Sequence, residues 1–475
     1  MDPTQSRFCG NEDSLKHQIP MQPERPRHGD QGILTQTLNR REFVKQSVSA
    51  ASALTVLGGA RVLGANERIV VGVMGVGGRG TALVEKFAAR PDVAIAYLCD
   101  PDTRRFKVAR ELVEKAQGRA PKVAQDFRRI LEDKTVDVLI NATPDHWHGL
   151  GTILACQAGK DVYVEKPLAH NLWEGRKMVE AARNHKRVVT VGMQSRSSDY
   201  ARKAREIVRS GRLGEIHLVR VFNLMQHPMS KPSNQPPPAE VDYELWCGPA
   251  AKPAHYAAGN WLNFFEYSCG PIPGDAVHQL DLARFLMGDP TAPKSVITAS
   301  AIRVLRDGRD TPDTQLAAFE YDGFTLQFDG ALWTPYLKKT PMELRDKDQI
   351  PNWPFNSTRI ELFGTRGFMY VGRHGDGWQV FDENAKLIET STGRQGDAAH
   401  IENFLQCVRT RALPAADVEQ GHQSVLLCHL ANSAWRAGKG SLTFDPQSES
   451  FPNAPEANQF LKRKYREPWV VPERV

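Results

Sequence analysis

From residue 69 onward the apolar positions alternate between two periods. Ile69 to Met74 is an unbroken, β-branched apolar run, the pattern of a parallel strand buried on both faces. After it, Leu83, Val84, Phe87 and Ala88 recur on one side of a helix, and Val93 to Cys99 reads as a second strand. The same spacing predicts a short helix over 126–132, a strand over 136–142, a helix over about 149–158 and a strand over 161–164. A helix over about 172–184 and a strand over 188–191 complete the series. Such alternation builds an α/β fold, a doubly wound parallel sheet whose ligands lie beyond the carboxyl ends of the strands. Past residue 193 the rhythm changes. Runs at 216–224, 295–304, 316–320, 325–332, 359–363 and 368–371 have strand character, separated by turns such as Tyr321-Asp322-Gly323 and Gly364-Thr365-Arg366-Gly367.

Ahead of these elements, residues 1–36 are polar and rich in Pro, Gln, Arg and Asp, a composition expected to be disordered. Asn39-Arg40-Arg41-Glu42-Phe43-Val44-Lys45 and the mildly apolar stretch from Gln46 to Ala60 resemble a twin-arginine export signal. That stretch is too short, and too interrupted by Ser and Gly, to span a bilayer. The alternative is an amphipathic lead-in helix. Asn39 stands where Ser or Thr is usual, and the leader is long. Cleavage after Ala60 or Ala65 fits the pattern, and the expected destination is the periplasm.

Composition narrows the classes. The chain has 475 residues, 41% hydrophobic and 24% charged, enough for two domains with a substantial core. The formal net charge is +6, with basic residues gathered before residue 46 and between Lys462 and Arg466. No basic stripe with interleaved aromatics crosses the body, so nucleic-acid binding has little support. The seven cysteines form no Cys-x-x-Cys pair, and no metal site is expected. A Cys247–Cys269 disulfide is compatible with an oxidising compartment, though spacing alone does not establish it.

Gly75-Val76-Gly77-Gly78-Arg79-Gly80 stands between the first strand and the first helix, the context a dinucleotide fingerprint requires. Gly75 permits the tight turn, Gly77 lets the backbone approach a pyrophosphate, and Gly80 lets helix and strand pack closely. The helix N-terminus offers amide donors to the phosphates. Asp100 follows the second strand, 20 positions after Gly80. A carboxylate there accepts ribose hydroxyls and repels a 2′-phosphate, which favours NAD over NADP. Arg104 and Arg105 soften that preference, and the alternative makes Asp100 a cap or turn residue.

The glycine fingerprint, Thr143-Pro144-Asp145-His146-Trp147-His148 and Glu165-Lys166-Pro167 occur in an order and spacing that resemble the Gfo/Idh/MocA oxidoreductases. Leu245 to Ala250, Gly270 to Gly288, His400 to Phe404, Glu419 to His422 and Tyr465 to Trp469 extend the likeness, in the manner of the family's exported bacterial branch. The resemblance implies a Rossmann domain followed by an α/β domain on an open, mainly antiparallel sheet that carries substrate on one face. The boundaries expected are 1–65 for leader and signal, 66–192 for the Rossmann domain, 193–445 for the substrate and oligomerisation domain and 446–475 for the tail. It further implies a homo-oligomer, and a cofactor held by Gly75, Gly77, Gly78, Arg79, Gly80, Asp100, Thr143, Pro144, His148, Glu165 and Lys166.

The chemistry expected is hydride exchange between tightly held NAD and a secondary hydroxyl of a sugar, polyol or glycoside. The twin-arginine route carries folded proteins, so an exported enzyme would keep its cofactor bound. Lys166 can bond the reacting oxygen and stabilise alkoxide charge; the resemblance makes it the central catalytic lysine, against a surface lysine paired to Glu165. Asp275 and His278 share a helical face, and His278 suits a general base. Family members carry the aspartate four positions before the histidine, where this chain has Gly274. Asp275 therefore either reaches the site from a shifted turn or caps its helix. Gln194 and Arg196 are placed to contact substrate hydroxyls, though Arg196 could equally pair with a carboxylate. Trp147 is either a wall of the nicotinamide pocket or a filler of the interdomain seam, and His146 with His148 lacks the third ligand of a metal site. Two other functions fit less of the pattern: a redox-neutral NAD-dependent glycosidase or lyase using transient oxidation, and a non-catalytic sugar-binding descendant.

Overall fold

The computed structural model describes residues 68–231 and 233–475; the expected leader and export signal lie outside the described residues. Six strands form the first sheet: β1 (Ile69–Met74), β2 (Val93–Cys99), β3 (Lys122–Ala124), β4 (Val138–Asn141), β5 (Asp161–Val164) and β6 (Val189–Val191). They lie in the order β3-β2-β1-β4-β5-β6, each adjacent pair parallel. The connecting helices are α1 (Gly78–Ala88), α2 (Phe106–Gln117), α3 (Arg128–Glu132), α4 (His148–Gln157) and α5 (Leu172–Asn184). α1 buries Gly80, Leu83, Val84, Phe87 and Ala88, the face its periodicity marks. Strand order reverses between β1 and β4, so a crevice opens above their carboxyl ends.

Nine strands form the second sheet: β7 (Ile216–Leu224), β8 (Ser295–Ala301), β9 (Thr314–Glu320), β10 (Thr325–Ala331), β11 (Arg359–Gly364), β12 (Gly367–Gly372), β13 (Trp378–Asp382), β14 (Leu387–Ser391) and β15 (Ser441–Thr443). Their order is β14-β13-β12-β11-β7-β10-β9-β8-β15. β7 and β10 pair in parallel and the other neighbours antiparallel, as a mainly antiparallel sheet requires. Further helices are α6 (Asp199–Arg209), α7 (Tyr243–Cys247), α8 (Pro271–Leu286), α9 (Asp397–Thr410), α10 (Val418–Arg436) and α11 (Pro455–Asn458).

Nearly every residue of α8 is buried. It is pinned to β7 where the Asn223 amide donates to Ile272 O (3.2 Å) and the Gln279 amide to Phe222 O (3.3 Å). α9 and α10 then return to the first sheet. Ile401, Phe404, Leu405 and Cys407 join the core around β1 and β2, and the Val191 amide donates to Ala416 O (3.0 Å). The boundary at residue 193 separates two sheets, but the packing crosses it.

The segment between β7 and α8 crosses the carboxyl-end crevice. Val241 pairs with Asp102, the Thr103 amide donates to Glu240 O (3.1 Å) and the Asp242 amide to Pro101 O (2.9 Å). Tyr243, Trp246, Cys247, Ala257 and Tyr267 form a small core beneath this strap. Cys247 and Cys269 are both free thiols, so the disulfide is not formed.

Candidate active site

The site begins where β1 turns into α1. Gly75 has φ +86°, and a Cβ there would meet Ala142 O at 2.7 Å, so the turn and the end of β4 require glycine. A Cβ on Gly80 would overlap Gly75 O, which seats α1 directly on the turn. Gly78 has nothing within 4 Å of that position, and Gly77 has only the Arg105 guanidinium, at 3.7 Å. Open space above two consecutive backbone amides at the start of an 11-residue helix is the cradle a pyrophosphate needs. Asp100 closes the cradle from β2: its Oδ2 accepts the Val76 amide (2.9 Å) and its Oδ1 the Asp102 amide (3.0 Å). Burial raises the Asp100 carboxyl above its ordinary value, against those two bonds.

A cavity of about 440 Å³ runs from this cradle past Asp100, Thr143, Pro144 and Asp145 to Lys166 and Gly274. Trp246, Tyr256 and Trp261 of the strap form its opposite wall. Gly75, Gly77, Gly78, Arg79, Asp100, Thr143, Pro144, Glu165 and Lys166 all line it, whereas Gly80 lies beneath, in the packing role expected of it. The residues present therefore fit a dinucleotide.

Lys166 sits at the far end. Its Nζ donates to Gly274 O (2.9 Å) in the first turn of α8, while the Glu165 carboxylate takes Arg79 Nε (2.7 Å) instead. Lys166 is thus not a surface lysine neutralised by Glu165. Next to it, though outside the cavity lining as is His278, Asp275 receives Lys339 Nζ (2.6 Å) and Arg373 Nη1 (3.0 Å). Burial would raise its carboxyl, but Arg373, Lys339 and Lys166 together hold it well below the ordinary range. Asp275 does not cap the helix, which begins at Pro271. It is a fixed negative charge. His278 is pushed well below its usual value by burial and by Arg373 and Lys166, with Asp275 opposing. It is neutral at neutral pH, the state a proton acceptor needs. His374 is likewise depressed by burial and Arg373.

Three assignments need correction. His148 does not face the cavity: its Nδ1 meets Pro167 O (2.6 Å) and its Nε2 meets Thr143 O (2.9 Å), tying together the two loops that do. Arg196 does not line the cavity; its guanidinium is buried on Asp281 (2.8 Å) and Asp289 (2.8 Å). Gln194 is buried with its amide 3.5 Å from the Tyr163 hydroxyl, away from the cavity lining. Trp147 lines the cavity and also fills the seam: its indole donates to Leu245 O (2.9 Å) and packs edge-on against Phe127 and Trp469. His146 is buried between Tyr267 O and Trp246 O, its imidazole depressed to about 3 by burial. Among the described residues no group of His, Cys, Asp or Glu could hold a metal, and no helix is long and apolar enough to cross a membrane. Sequence reasoning missed Asp145, Lys339, Arg373 and His374. Asp145 stood inside a recognised motif; the other three carry no local signal.

Three family models tile the chain: an oxidoreductase family NAD-binding Rossmann fold over residues 69–193, the GFO/IDH/MocA C-terminal domain over 201–370, and the oxidoreductase family C-terminal alpha/beta domain over 367–471. The myo-inositol 2-dehydrogenase of Thermotoga maritima is 22% identical over 371 residues, covering 77% of this chain and 95% of its own. A glycosyl hydrolase family 109 protein of Stenotrophomonas maltophilia is 34% identical over 134 residues, 27% of this chain and 29% of its own. The WlbA dehydrogenase of Bordetella pertussis, solved with NADH and UDP-GlcNAcA, superimposes with a TM-score of 0.58 at 21% identity, covering 80% of this chain and 99% of that one.

Proposed function

Because the chain belongs to the Gfo/Idh/MocA oxidoreductase family, we propose that it exchanges hydride between a tightly held NAD and a secondary hydroxyl of a sugar, polyol or glycoside. The observation that carries this reading is one continuous cavity with the glycine cradle at one end and Lys166 at the other. NAD bound there would supply the hydride acceptor. Lys166 would exchange its bond to Gly274 O for one to the reacting oxygen and stabilise charge developing on it. Neutral His278 would take the hydroxyl proton, while Asp275 stays ionised and balances Lys166, Lys339 and Arg373. Asp100 favours the free ribose hydroxyls of NAD. The strap at residues 240–242 lies along the residues that follow Asp100, which supports slow cofactor release.

Purified protein is expected to release dinucleotide on denaturation. Lys166→Ala should keep that cofactor and lose about 10²–10³ in turnover with its preferred sugar; unchanged turnover in a cofactor-loaded variant removes Lys166 from the mechanism. The redox-neutral glycosidase reading draws on the likeness to the glycosyl hydrolase and on the strap, since a cofactor that never leaves suits a cycle that returns its hydride. Glycosidic cleavage without any electron acceptor would select it. The intact cradle and Lys166 oppose a non-catalytic role. We place the working enzyme in the periplasm, exported folded. A homo-oligomer is supported by the second sheet, which leaves Ile297 and Leu316 on adjacent strands 55% and 44% exposed.

A further inference from the structure

The turn that presents Lys166 to the first cavity presents His170 and Asn171 to a second one. This second cavity measures about 320 Å³ and shares no lining residue with the first. Its walls come from the segment before α8, from α10 and from the tail after α11, so it is assembled by tertiary packing.

Its charged groups are mostly cations. The Arg463 side chain is only 8% exposed. Its Nη2 pairs with Glu266 (2.7 Å), but Nε and Nη1 are buried with no hydrogen-bond partner among the described residues. His429 Nε2 and His170 Nδ1 are also buried without a partner, but as acceptors: His170 Nε2 donates to Phe265 O (2.7 Å), and burial holds both rings in the neutral form. Lys464 and Arg436 add positive charge to the lining, and Asp310 and Ser433 add groups able to meet hydroxyls. A guanidinium carries five donors in a fixed fork. Leaving two of them buried and unpaired is costly unless an acceptor arrives. The volume exceeds that of a bare ion and reaches the lower end of small-molecule sites, about 300 Å³.

We propose that this cavity is a second ligand site, which binds a small polyhydroxylated oxyanion, a sugar acid or sugar phosphate, with its anionic group on Arg463 and its hydroxyls donating to His170 Nδ1 and His429 Nε2. It does not depend on which reaction the first cavity performs.

Calorimetric titration of the cofactor-loaded protein tests it, with glucuronate, glucose 6-phosphate, glucose and inorganic phosphate as probes. Saturable binding of at least one anionic sugar is expected, about tenfold or more tighter than glucose, as a charge-assisted bond implies. Which anionic sugar binds identifies carboxylate or phosphate as the group held, and inorganic phosphate alone should bind more weakly. Lys166→Ala should retain the binding and Arg463→Gln should lose it. Should Arg463→Gln fail to fold, the exposed Lys464→Gln takes its place, with a salt-sensitive loss of a few-fold expected. Binding that glucose matches, or that disappears in Lys166→Ala and survives in the Arg463 or Lys464 variant, overturns the second site. So does the absence of binding by both anionic sugars.

Discussion

The two ends of the main cavity are built on different plans. At the cofactor end the work falls to backbone: a left-handed glycine, two amides under open space and a helix start, all within the turn from Gly75 to Gly80, with Asp100 bracing it. Behind the Lys166 end it falls to side chains delivered from far apart. Lys339 is 64 residues from Asp275 and Arg373 is 98 residues from it, yet both close on its carboxylate. A ligand group common to every dinucleotide enzyme can be met by a short, fixed backbone motif. A particular sugar has to be met by side chains, and these come from whichever elements the fold brings near.

Cutting the charge cluster should produce the larger effect. Asp275→Ala would leave Arg373 and Lys339 facing Lys166 without their shared counter-charge. Removing one partner of a buried ion pair costs about 3–5 kcal/mol, and the partial exposure of Lys339 (31%) points to the lower half of that range. Turnover should collapse while dinucleotide still copurifies. Loss of cofactor from this variant would show that the two ends are not separate constructions. The wild type offers a check by pH. Since burial, Arg373 and Lys166 depress His278, it stays neutral as pH falls below the ordinary histidine range near 6.5. Turnover should therefore show no acid limb near pH 6.5, and a limb there would remove His278 as the proton acceptor.

The same contrast decides what could be read in advance. The bounds of β1, β2, β5 and α5 follow directly from their apolar runs, and the cradle from its glycines, because each is local. α2 was missed because only Ala109 and Val113 of its 12 residues are buried, too narrow a stripe to stand out. α10 was missed for the opposite cause: it is buried almost all round, so no polar face sets a period. Edge strand β14, exposed or half-exposed throughout, lacks an apolar side to alternate. Lys339 and Arg373 look like any surface cations in sequence, and only the fold shows them on Asp275. Conversely, Arg196 and His148 look like site residues because they neighbour motifs, but their polar atoms are committed to Asp281, Asp289 and backbone carbonyls.

Asp100 is the side chain that braces the glycine turn of the cofactor end, so Asp100→Asn is the next sharper cut. The amide keeps an acceptor for the Val76 amide but gives up the charge that a ribose hydroxyl would meet. Losing one charge-assisted bond costs about 1.5–3 kcal/mol, roughly ten- to hundredfold in NAD affinity. NADP should lose less or gain, because the repulsion of its 2′-phosphate goes with the charge. Fluorescence titration with both dinucleotides measures the ratio, and an unchanged ratio would return Asp100 to a bracing role only.

The smallest effect is expected from Arg105, and it probes the comparison most directly. Its guanidinium is the only described group near the backbone face of Gly77, and its side chain is half exposed, 51%. If amides hold the pyrophosphate, this cation adds only a screened attraction, about 0.2–1 kcal/mol as for exposed ion pairs. Arg105→Ala should then weaken NAD by no more than about fivefold at low salt. The difference should vanish as added salt shortens the Debye length to a few ångströms. A loss well beyond tenfold that persists in high salt would mean that the phosphates lean on a side chain after all, and the division between a backbone end and a side-chain end would fail at its firmest point.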